Sequence, residues 1–214
     1  MHNDSPTECT VSPRPETLWE VHFAELGCPP GILLAGVHLT EAEAQTLAAR
    51  GLLAPILHRV YSSSAPSPQL RGYAAGLHLR ALSRRRSVLH RLTAAWIYGC
   101  AAPPRYLECT VNGNDGHKFG AQELRYVRHR YLSYSRFEVN RVGPVLVTTP
   151  LRTCVDLAAF DATPAGDSAL ATFIRAPSLG CSPRVLCAAL AAVPRLKFRR
   201  QAIERVHQLA PKVS

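Results

Sequence analysis

The amino-acid sequence predicts an α+β fold whose C-terminal part is helical. Three observations predict this class. A helix with a capping signal precedes two short apolar runs, strand-like and helix-like patterns then alternate, and after residue 150 only helical patterns follow. With 214 residues, 47% of them hydrophobic, the chain is long enough to bury a sizeable core.

The first part of the chain, residues 1–30, is predicted to be an acidic tail and a short helix. Residues 1 to about 15 are polar and rich in proline, which is typical of a mobile segment. Glu16 to Leu26 fits a short helix, and Gly27 with the Pro29-Pro30-Gly31 break ends it.

Residues 31–66 are predicted to form a small winged-helix-like domain. Thr40 and Glu43 have the spacing of a capping box, and the helix that they open is expected to run to Arg50. Two short apolar strands are expected near residues 52–53 and 57–61. A helix followed by a small hairpin is typical of the last part of a winged helix, and the Ser/Pro-rich stretch after it ends the unit as a linker.

Residues 67–214 are predicted to form the second, mixed α+β domain. Its first half is expected to combine two helices, a strand, a turn and a long extended basic and aromatic segment, at residues 69–82, 91–98, 106–111, 112–116 and 123–137 respectively. Its second half is expected to hold helices over about residues 165–175, 183–192 and 197–209.

Between these halves, the segment Thr148–Leu157 predicts a strand end that turns into a helix. Thr149 is suited to the N-cap position, and Pro150 to the first helical position, where a missing N–H costs nothing. Arg152 and Asp156 are four residues apart, so we interpret them as a structural ion pair rather than as catalytic groups. This motif is predicted to be scaffold.

Several function classes are disfavoured by composition. No apolar run of eighteen residues is present, and the N-terminus is polar and acidic, so we expect neither a membrane span nor a signal peptide. The seven cysteines include no Cys-x-x-Cys pair, which favours reduced thiols in a cytoplasmic protein. We find no pattern for a metal, a cofactor or a catalytic triad, and predict a protein that is not an enzyme. His90 is expected to be structural.

The net charge of +10 is unevenly distributed. Residues 1–57 hold two basic and seven acidic residues, whereas residues 58–214 hold 23 basic and eight acidic ones. A region this basic attracts polyanions, and nucleic acid is the usual partner. A GC-rich coding bias that enriches arginine is the alternative explanation.

Candidate DNA-binding residues come from this charge and from the helix and hairpin of the winged-helix-like unit. They are Gln45, Thr46, Arg50, Arg59, Arg84, Arg85, Arg86, Arg91, Lys197, Arg199 and Arg200. The segment from Arg125 to Phe137 also interleaves arginines with Tyr126, Tyr131 and Tyr134, a combination that suits nucleic acid. A solvated charged turn at residues 84–86 and a twisted surface strand at 125–137 explain the same residues without a partner.

Two segments carry a resemblance to a known family. They are His90 to Gly99 and Thr148 to Ala158, preceded in order by the capped helix, Gly51-Leu52-Leu53 and Arg59-Val60-Tyr61. From about Leu39 onward the chain resembles the actinobacterial branch of the AbiEi family, the antitoxins of type IV toxin–antitoxin systems. The resemblance implies a winged-helix N-terminal domain, repression of the antitoxin's own promoter, and neutralisation of a nucleotidyltransferase-like toxin without a stable complex.

The chain departs from the family pattern in two respects. The helix expected to read DNA carries Glu41 and Glu43 but a single arginine, which disfavours direct reading of the major groove. The Asp/Glu-x-Lys arrangement of metal-dependent nucleases, found in some related proteins, is not visible. The leading hypothesis is a DNA-binding antitoxin and autorepressor, and the alternative is a non-enzymatic protein-interaction module whose acidic N-terminal unit docks a basic partner.

Overall fold

The computed structural model describes residues 18–111 and 118–210. Its α-helices are α1 (Leu18–Leu26), α2 (Glu41–Ala49), α3 (Pro68–Leu77), α4 (Ala81–Arg86), α5 (Arg91–Ile97), α6 (Pro150–Phe160), α7 (Pro164–Ile174), α8 (Pro183–Ala192) and α9 (Arg199–Leu209). Its strands are β1 (Ile32–Leu34), β2 (Ala54–Leu57), β3 (Val60–Ser62), β4 (Ser87–Leu89), β5 (Leu107–Val111), β6 (Val127–Tyr131), β7 (Val139–Val142) and β8 (Val145–Thr148). The α+β class with a helical C-terminus is therefore confirmed.

The N-terminal unit contains α2 and a three-stranded antiparallel sheet in the order β1-β3-β2. The capping box is confirmed, because the Thr40 side chain accepts a hydrogen bond from the Glu43 N–H and the Glu43 carboxylate accepts one from the Thr40 N–H at 2.8 Å. The hairpin lies about two residues later than the apolar runs indicate, since Leu52 is 61% exposed and Leu53 contacts α2 instead of forming a strand. Strand β1 was not predicted.

The second sheet has five strands in the order β6-β5-β4-β8-β7 and mixes parallel and antiparallel pairs. β5 pairs in parallel with β6, and β4 pairs in parallel with β8. Helix α5 packs against both β5 and β8 on one side and against α6 on the other. The carboxyl end of β8 leads into α6, which therefore lies beside α5.

One hydrophobic cluster connects the two sheets. It contains Ile32, Ile56 and Val60 of the small sheet together with Leu89 and Val147 of the large one. A second cluster is formed mainly by α6 to α9. The division at residue 66 into two domains stays a prediction. Residues on both sides of it contribute to the first hydrophobic cluster.

The helix expected over residues 69–82 ends earlier than predicted. Ser67 is its N-cap as expected, but α3 stops at Leu77. The Arg80 N–H then donates to the carboxylate of the buried Glu123 at 2.8 Å, and α4 begins in a new direction. The arginines of residues 84–86 accordingly lie on a helix and not in a turn.

Two other expectations were changed, and two lie outside the described residues. The extended segment over 123–137 is broken into a 3-10 turn at Glu123–Arg125, the strand β6 and a second 3-10 turn at Arg136–Glu138. The last helix begins at Arg199 because Phe198 adopts a left-handed backbone with φ of 60°. The tail over residues 1–15 and the turn at 112–116 lie outside the described residues.

The C-terminal helices are fastened by Arg205 of α9. Its guanidinium donates to the carbonyl oxygens of Leu157 (3.1 Å), Ala158 (2.6 Å) and Asp161 (2.6 Å), and it pairs with the Asp167 carboxylate of α7. Carbonyls at a helix C-terminus have no intrahelical donor. Arg205 supplies such a donor to the Ala158 carbonyl and a second donor to the Leu157 carbonyl, which also accepts from the Asp161 N–H, and so fixes α6, α7 and α9 relative to one another.

None of the helices in the described part of the chain is long and apolar enough to cross a membrane.

Candidate nucleic-acid interface

A cleft of about 620 Å³ opens between the start of α5, the end of β6, the helix α6 and the loop that joins α8 to α9. Five cationic side chains and three aromatic rings line it: Arg91, Arg130, Arg152, Arg195 and Lys197, with Tyr131, Tyr134 and Phe160. Among the lining residues that the structure describes, Asp156 is the only acid. The cleft therefore has a strongly positive wall.

The cleft is built on the motif that begins α6. Thr149 is the N-cap and accepts a hydrogen bond from the Arg152 N–H, and Pro150 occupies the first turn, as predicted. The predicted ion pair is also confirmed, with 2.8 Å between a guanidinium nitrogen of Arg152 and an Asp156 oxygen. The motif is scaffold, but it forms one wall of the cleft, which the sequence did not indicate.

Asp156 is 1% exposed and lies at the centre of a polar network. The Tyr134 hydroxyl donates to its carboxylate at 2.7 Å. That hydroxyl has a single hydrogen, so the 3.3 Å contact with His90 requires the Nδ1–H of His90 to be the donor. Burial raises the pKa of Asp156, while the Arg152 guanidinium and the Tyr134 hydroxyl oppose this rise.

Arg152 is held from two further directions. Its guanidinium pairs with Glu138 at 2.7 Å and lies 4.9 Å from the centre of the Tyr134 ring. Burial disfavours its charged form, but Asp156 and Glu138 outweigh burial and raise its pKa. Arg152 is thus a fixed positive charge in the cleft wall.

His90 has the structural role that was predicted. It is 1% exposed, and burial together with the nearby Arg91, Arg130 and Arg152 lowers its pKa to about 3. At neutral pH it is therefore an uncharged hydrogen-bond donor to Tyr134.

The mouth of the cleft contains two residues in unusual backbone conformations. Arg91 has φ of 50° and Arg195 has φ of 52°, a region that side-chain-bearing residues rarely adopt. The Arg91 guanidinium also lies 5.6 Å from the centre of the Phe160 ring. Both arginines are placed in the cleft by backbone conformations that cost energy.

Glu108 lies behind the cationic wall. Burial raises the pKa of its carboxyl, while the charges of Arg91 and Arg130 act to lower it. Glu108 thus offsets part of the charge of Arg91 and Arg130. Arg195 and Lys197, which also line the cleft, are exposed.

The predicted DNA-binding residues of α2 lie away from this cleft. Gln45, Thr46 and Arg50 are exposed, and the Thr46 hydroxyl donates to the Ala42 carbonyl at 2.8 Å. Arg59 of the hairpin pairs with Glu41 at 3.7 Å, so part of its charge is neutralised by the helix that was expected to read DNA. Contact of these residues with DNA stays a prediction.

Arg84 requires a correction. Its side chain is buried, and its guanidinium donates to the carbonyl oxygens of Leu79 and Gly76 and pairs with Glu25. It holds the α3–α4 connection and is not accessible to DNA. Arg85 and Arg86 are exposed.

The three basic residues at the start of the last helix have different surroundings. Lys197 lines the cleft. Arg199 is half-buried and donates to the Val193 carbonyl at 2.6 Å, which holds the loop between α8 and α9. Arg200 is 85% exposed and pairs loosely with Glu204 at 3.6 Å.

Sequence reasoning missed part of the site. Arg130, Tyr131 and Tyr134 belong to the basic and aromatic segment that was recognised, and Arg91 and Lys197 were named. Arg195, Glu138 and Phe160 gave no sequence signal, because they come from three separate segments that meet only in the fold.

Comparisons with known proteins gave no match: none was found among the protein-family models, the curated proteins or the solved structures. The functional argument therefore rests on the residues and their geometry.

Proposed function

We propose that this chain is a non-enzymatic, cytoplasmic DNA-binding protein that acts as the antitoxin and autorepressor of a type IV toxin–antitoxin system. The observation that carries the DNA-binding part is the cleft, in which Arg130, Arg195 and Lys197 are exposed cations and Arg152 is paired with acids in the wall. Phosphate groups are recognised by arginine and lysine, and exposed cations without acidic partners favour a polyanion over a protein surface of mixed charge.

The charge distribution supports the same partner. All of the basic excess lies in residues 58–214, and Arg85, Arg86, Arg130 and Lys197 in this region are exposed. Phosphate contacts of this kind position a protein on DNA without reading its sequence. The exposed Gln45 and Arg50 of α2 supply the side chains for contacts to bases.

The antitoxin part of the proposal rests on the family resemblance of the segments 90–99 and 148–158. In the fold these two segments meet, since Tyr134 bridges His90 of the first and Asp156 of the second. The toxin that it would neutralise is nucleotidyltransferase-like, and no stable complex with it is expected.

A mobility-shift assay with the full chain and a fragment of its own promoter tests the proposal. We expect a shift at low salt that a competitor of unrelated duplex removes only at high excess, and a steep loss of affinity as salt rises. Absence of a shift at low salt would contradict DNA binding. Co-expression with the gene product encoded next to it tests the antitoxin role by growth rescue.

One observation favours a second function. The first turn of α2 exposes Glu41, which pairs with Arg59 at 3.7 Å, and Glu43 of the capping box, and an acidic turn of this kind suits docking to a basic protein surface. A pull-down that recovers one stoichiometric protein, together with no DNA binding, would support a protein-interaction module instead.

A further inference from the structure

We propose that the cleft between β6, α6 and the α8–α9 loop binds an unpaired nucleotide, with its phosphate on the arginines and its base against the exposed ring of Tyr131. The inference rests on the proposed nucleic-acid function and adds the ligand class of this site. Four observations carry it: the size of the cleft, its charges, its aromatic rings and its backbone strain.

The interior of the cleft has the size of a site for a single nucleotide, whereas the phosphates of a duplex contact only the cations at its rim. At about 620 Å³ it falls in the range of about 300–1,000 Å³ typical of sites for small ligands. Proteins read a duplex with elements that protrude into its grooves. A concave site lined by cations is suited to a phosphate that enters it, as an unpaired nucleotide does.

The charges of the cleft suit a phosphate at its mouth. Arg152 is already occupied by Asp156 and Glu138, so it contributes a fixed charge and not a free donor fork. Arg130 and Arg195 are exposed and have side-chain donors directed at solvent, and Lys197 is exposed beside them. The cations available to a ligand are therefore Arg130, Arg195 and Lys197 at the rim of the cleft. The ion pair of Arg152 with Asp156 forms the floor of the cleft.

The aromatic rings supply a surface for the base. Tyr131 is 69% exposed at the end of β6, and Phe160 is 38% exposed at the end of α6. Large aromatic rings that remain exposed beside arginines are the arrangement by which proteins bind single strands, because every base has a face that can stack. Neither ring is needed for the hydrophobic clusters of the core.

The backbone strain falls at the same place. Of the four non-glycine residues with positive φ in the described part of the chain, Arg91 and Arg195 line the cleft and Phe198 follows its residue Lys197. Left-handed backbone at such residues costs on the order of 1–3 kcal/mol each and is concentrated at functional sites. Strain that aims two arginines into one cleft is expected where a ligand makes use of them.

The proposal is tested by fluorescence anisotropy with the full chain and a labelled single-stranded DNA hexamer of mixed sequence. Unlabelled ATP and the blunt duplex of the same sequence are the competitors. We expect the hexamer to bind, and competition by ATP would show that a free nucleotide is also accepted. Hexamer binding that ATP does not compete for assigns the site to a nucleic-acid strand.

Matched variants locate the binding. Tyr131→Ala and Arg130→Ala should each weaken hexamer binding about tenfold, which lies within the effect of about 1–3 kcal/mol per stacked base. Phe137→Ala, at a ring that is 78% exposed outside the cleft, and Arg184→Ala, at an exposed arginine of α8, should leave it unchanged. Unaltered thermal unfolding of each variant shows that it is folded.

The outcomes separate this inference from the proposed function. A promoter shift with no binding of hexamer or ATP would overturn the inference and leave the function standing. Hexamer binding that the cleft variants do not weaken would also overturn it. No binding of any nucleic acid would overturn both.

Discussion

The hydroxyl of the half-buried Tyr134 joins two distant segments of the chain, since its partners His90 and Asp156 are 66 residues apart in sequence. It donates to Asp156 at 2.7 Å and accepts from His90 at 3.3 Å. Burial and the neighbouring Asp156 charge raise the pKa of the phenol, so it keeps its proton. The floor of the cleft is thus a neutral hydrogen-bonded connection beside an ion pair.

Tyr134→Phe tests this connection. The variant leaves an Asp156 lone pair and the His90 Nδ1–H without their partner, so we expect the free energy of unfolding to fall by about 1–3 kcal/mol. Urea denaturation followed by circular dichroism measures it. Tyr131→Phe, at an exposed hydroxyl, is the matched control and should stay within about 0.5 kcal/mol of wild type. Equal stability of the two variants would contradict the network.

Buried histidines make the stability dependent on pH. Burial lowers the pKa of His78 to about 3, and the Nδ1–H of this residue donates to the Ala74 carbonyl at 2.9 Å. The unfolded chain, with a histidine pKa near 6.5, binds more protons than the folded chain between about pH 3 and 6.5. The stability that the neutral, buried His78 contributes is therefore fully present above pH 6.5 and is lost as the pH falls below this value.

His78→Phe removes this histidine, so the unfolded chain of the variant binds one proton fewer than that of wild type at acidic pH. Between pH 7 and pH 5, the free energy of unfolding of the variant should therefore fall by about 2 kcal/mol less than that of wild type. Denaturant titrations at the two pH values measure the difference, and His207→Phe, at an exposed histidine of α9, is the control. The same loss in wild type and His78→Phe would show that His78 is not buried in its neutral form.

Among the elements, α6 depends on a side chain from another helix for its C-terminus. Arg205 donates to two of its last carbonyls and to Asp161 just after it. The planar guanidinium reaches all of these acceptors at once, which a lysine ammonium does not. The helix that carries Arg152 and Asp156 into the cleft is therefore positioned by α9.

Arg205→Ala should lower the free energy of unfolding by about 2–4 kcal/mol, since the ion pair with Asp167 and the hydrogen bonds to three carbonyls are lost together. Arg205→Lys should recover only part of this loss. Arg200→Ala, one turn away and 85% exposed, should change it by less than about 0.5 kcal/mol. Thermal and urea unfolding of the three variants measure the effect. If Arg205→Ala matched Arg200→Ala, the helix ends would not depend on this contact.

The elements also show what the sequence could and could not predict. The first residues of the capped helices were placed within one or two positions, because Thr40, Ser67 and Thr149 have local signals that the structure retains. The break after Leu77 was missed, since it depends on the Glu123 carboxylate, a partner 43 residues away from Arg80. Strand β1 was missed because three residues are too few for periodicity to show.

The candidate site could also be predicted only in part, because contacts between residues that are distant in sequence leave no local signal. The pair of Arg152 and Asp156 is local in sequence and was predicted. The cleft is not local, because its walls come from α5, β6, α6 and the α8–α9 loop. Arg84 was misjudged since a run of three arginines does not reveal which member faces the core.

At the level of the whole molecule, the acidic first quarter and the basic remainder divide the sequence by charge. The small sheet joins the core of the large one, so this division is not a division into separate cores. Polyanion binding is expected on the basic part, and its strength is expected to depend on the number of cations that contact phosphate.

The salt dependence of binding to the chain's own promoter measures whether the cleft cations contact phosphate. Affinity is determined over a series of salt concentrations for wild type and for the double variant Arg130→Ala/Lys197→Ala. We predict that the slope of log affinity against log salt becomes shallower by about 1.8, the effect of two lost phosphate contacts. The control Arg141→Ala/Arg184→Ala removes the same charge from exposed positions outside the cleft. Equal slopes for the cleft variant and wild type would contradict the assignment of the nucleic-acid interface to this cleft.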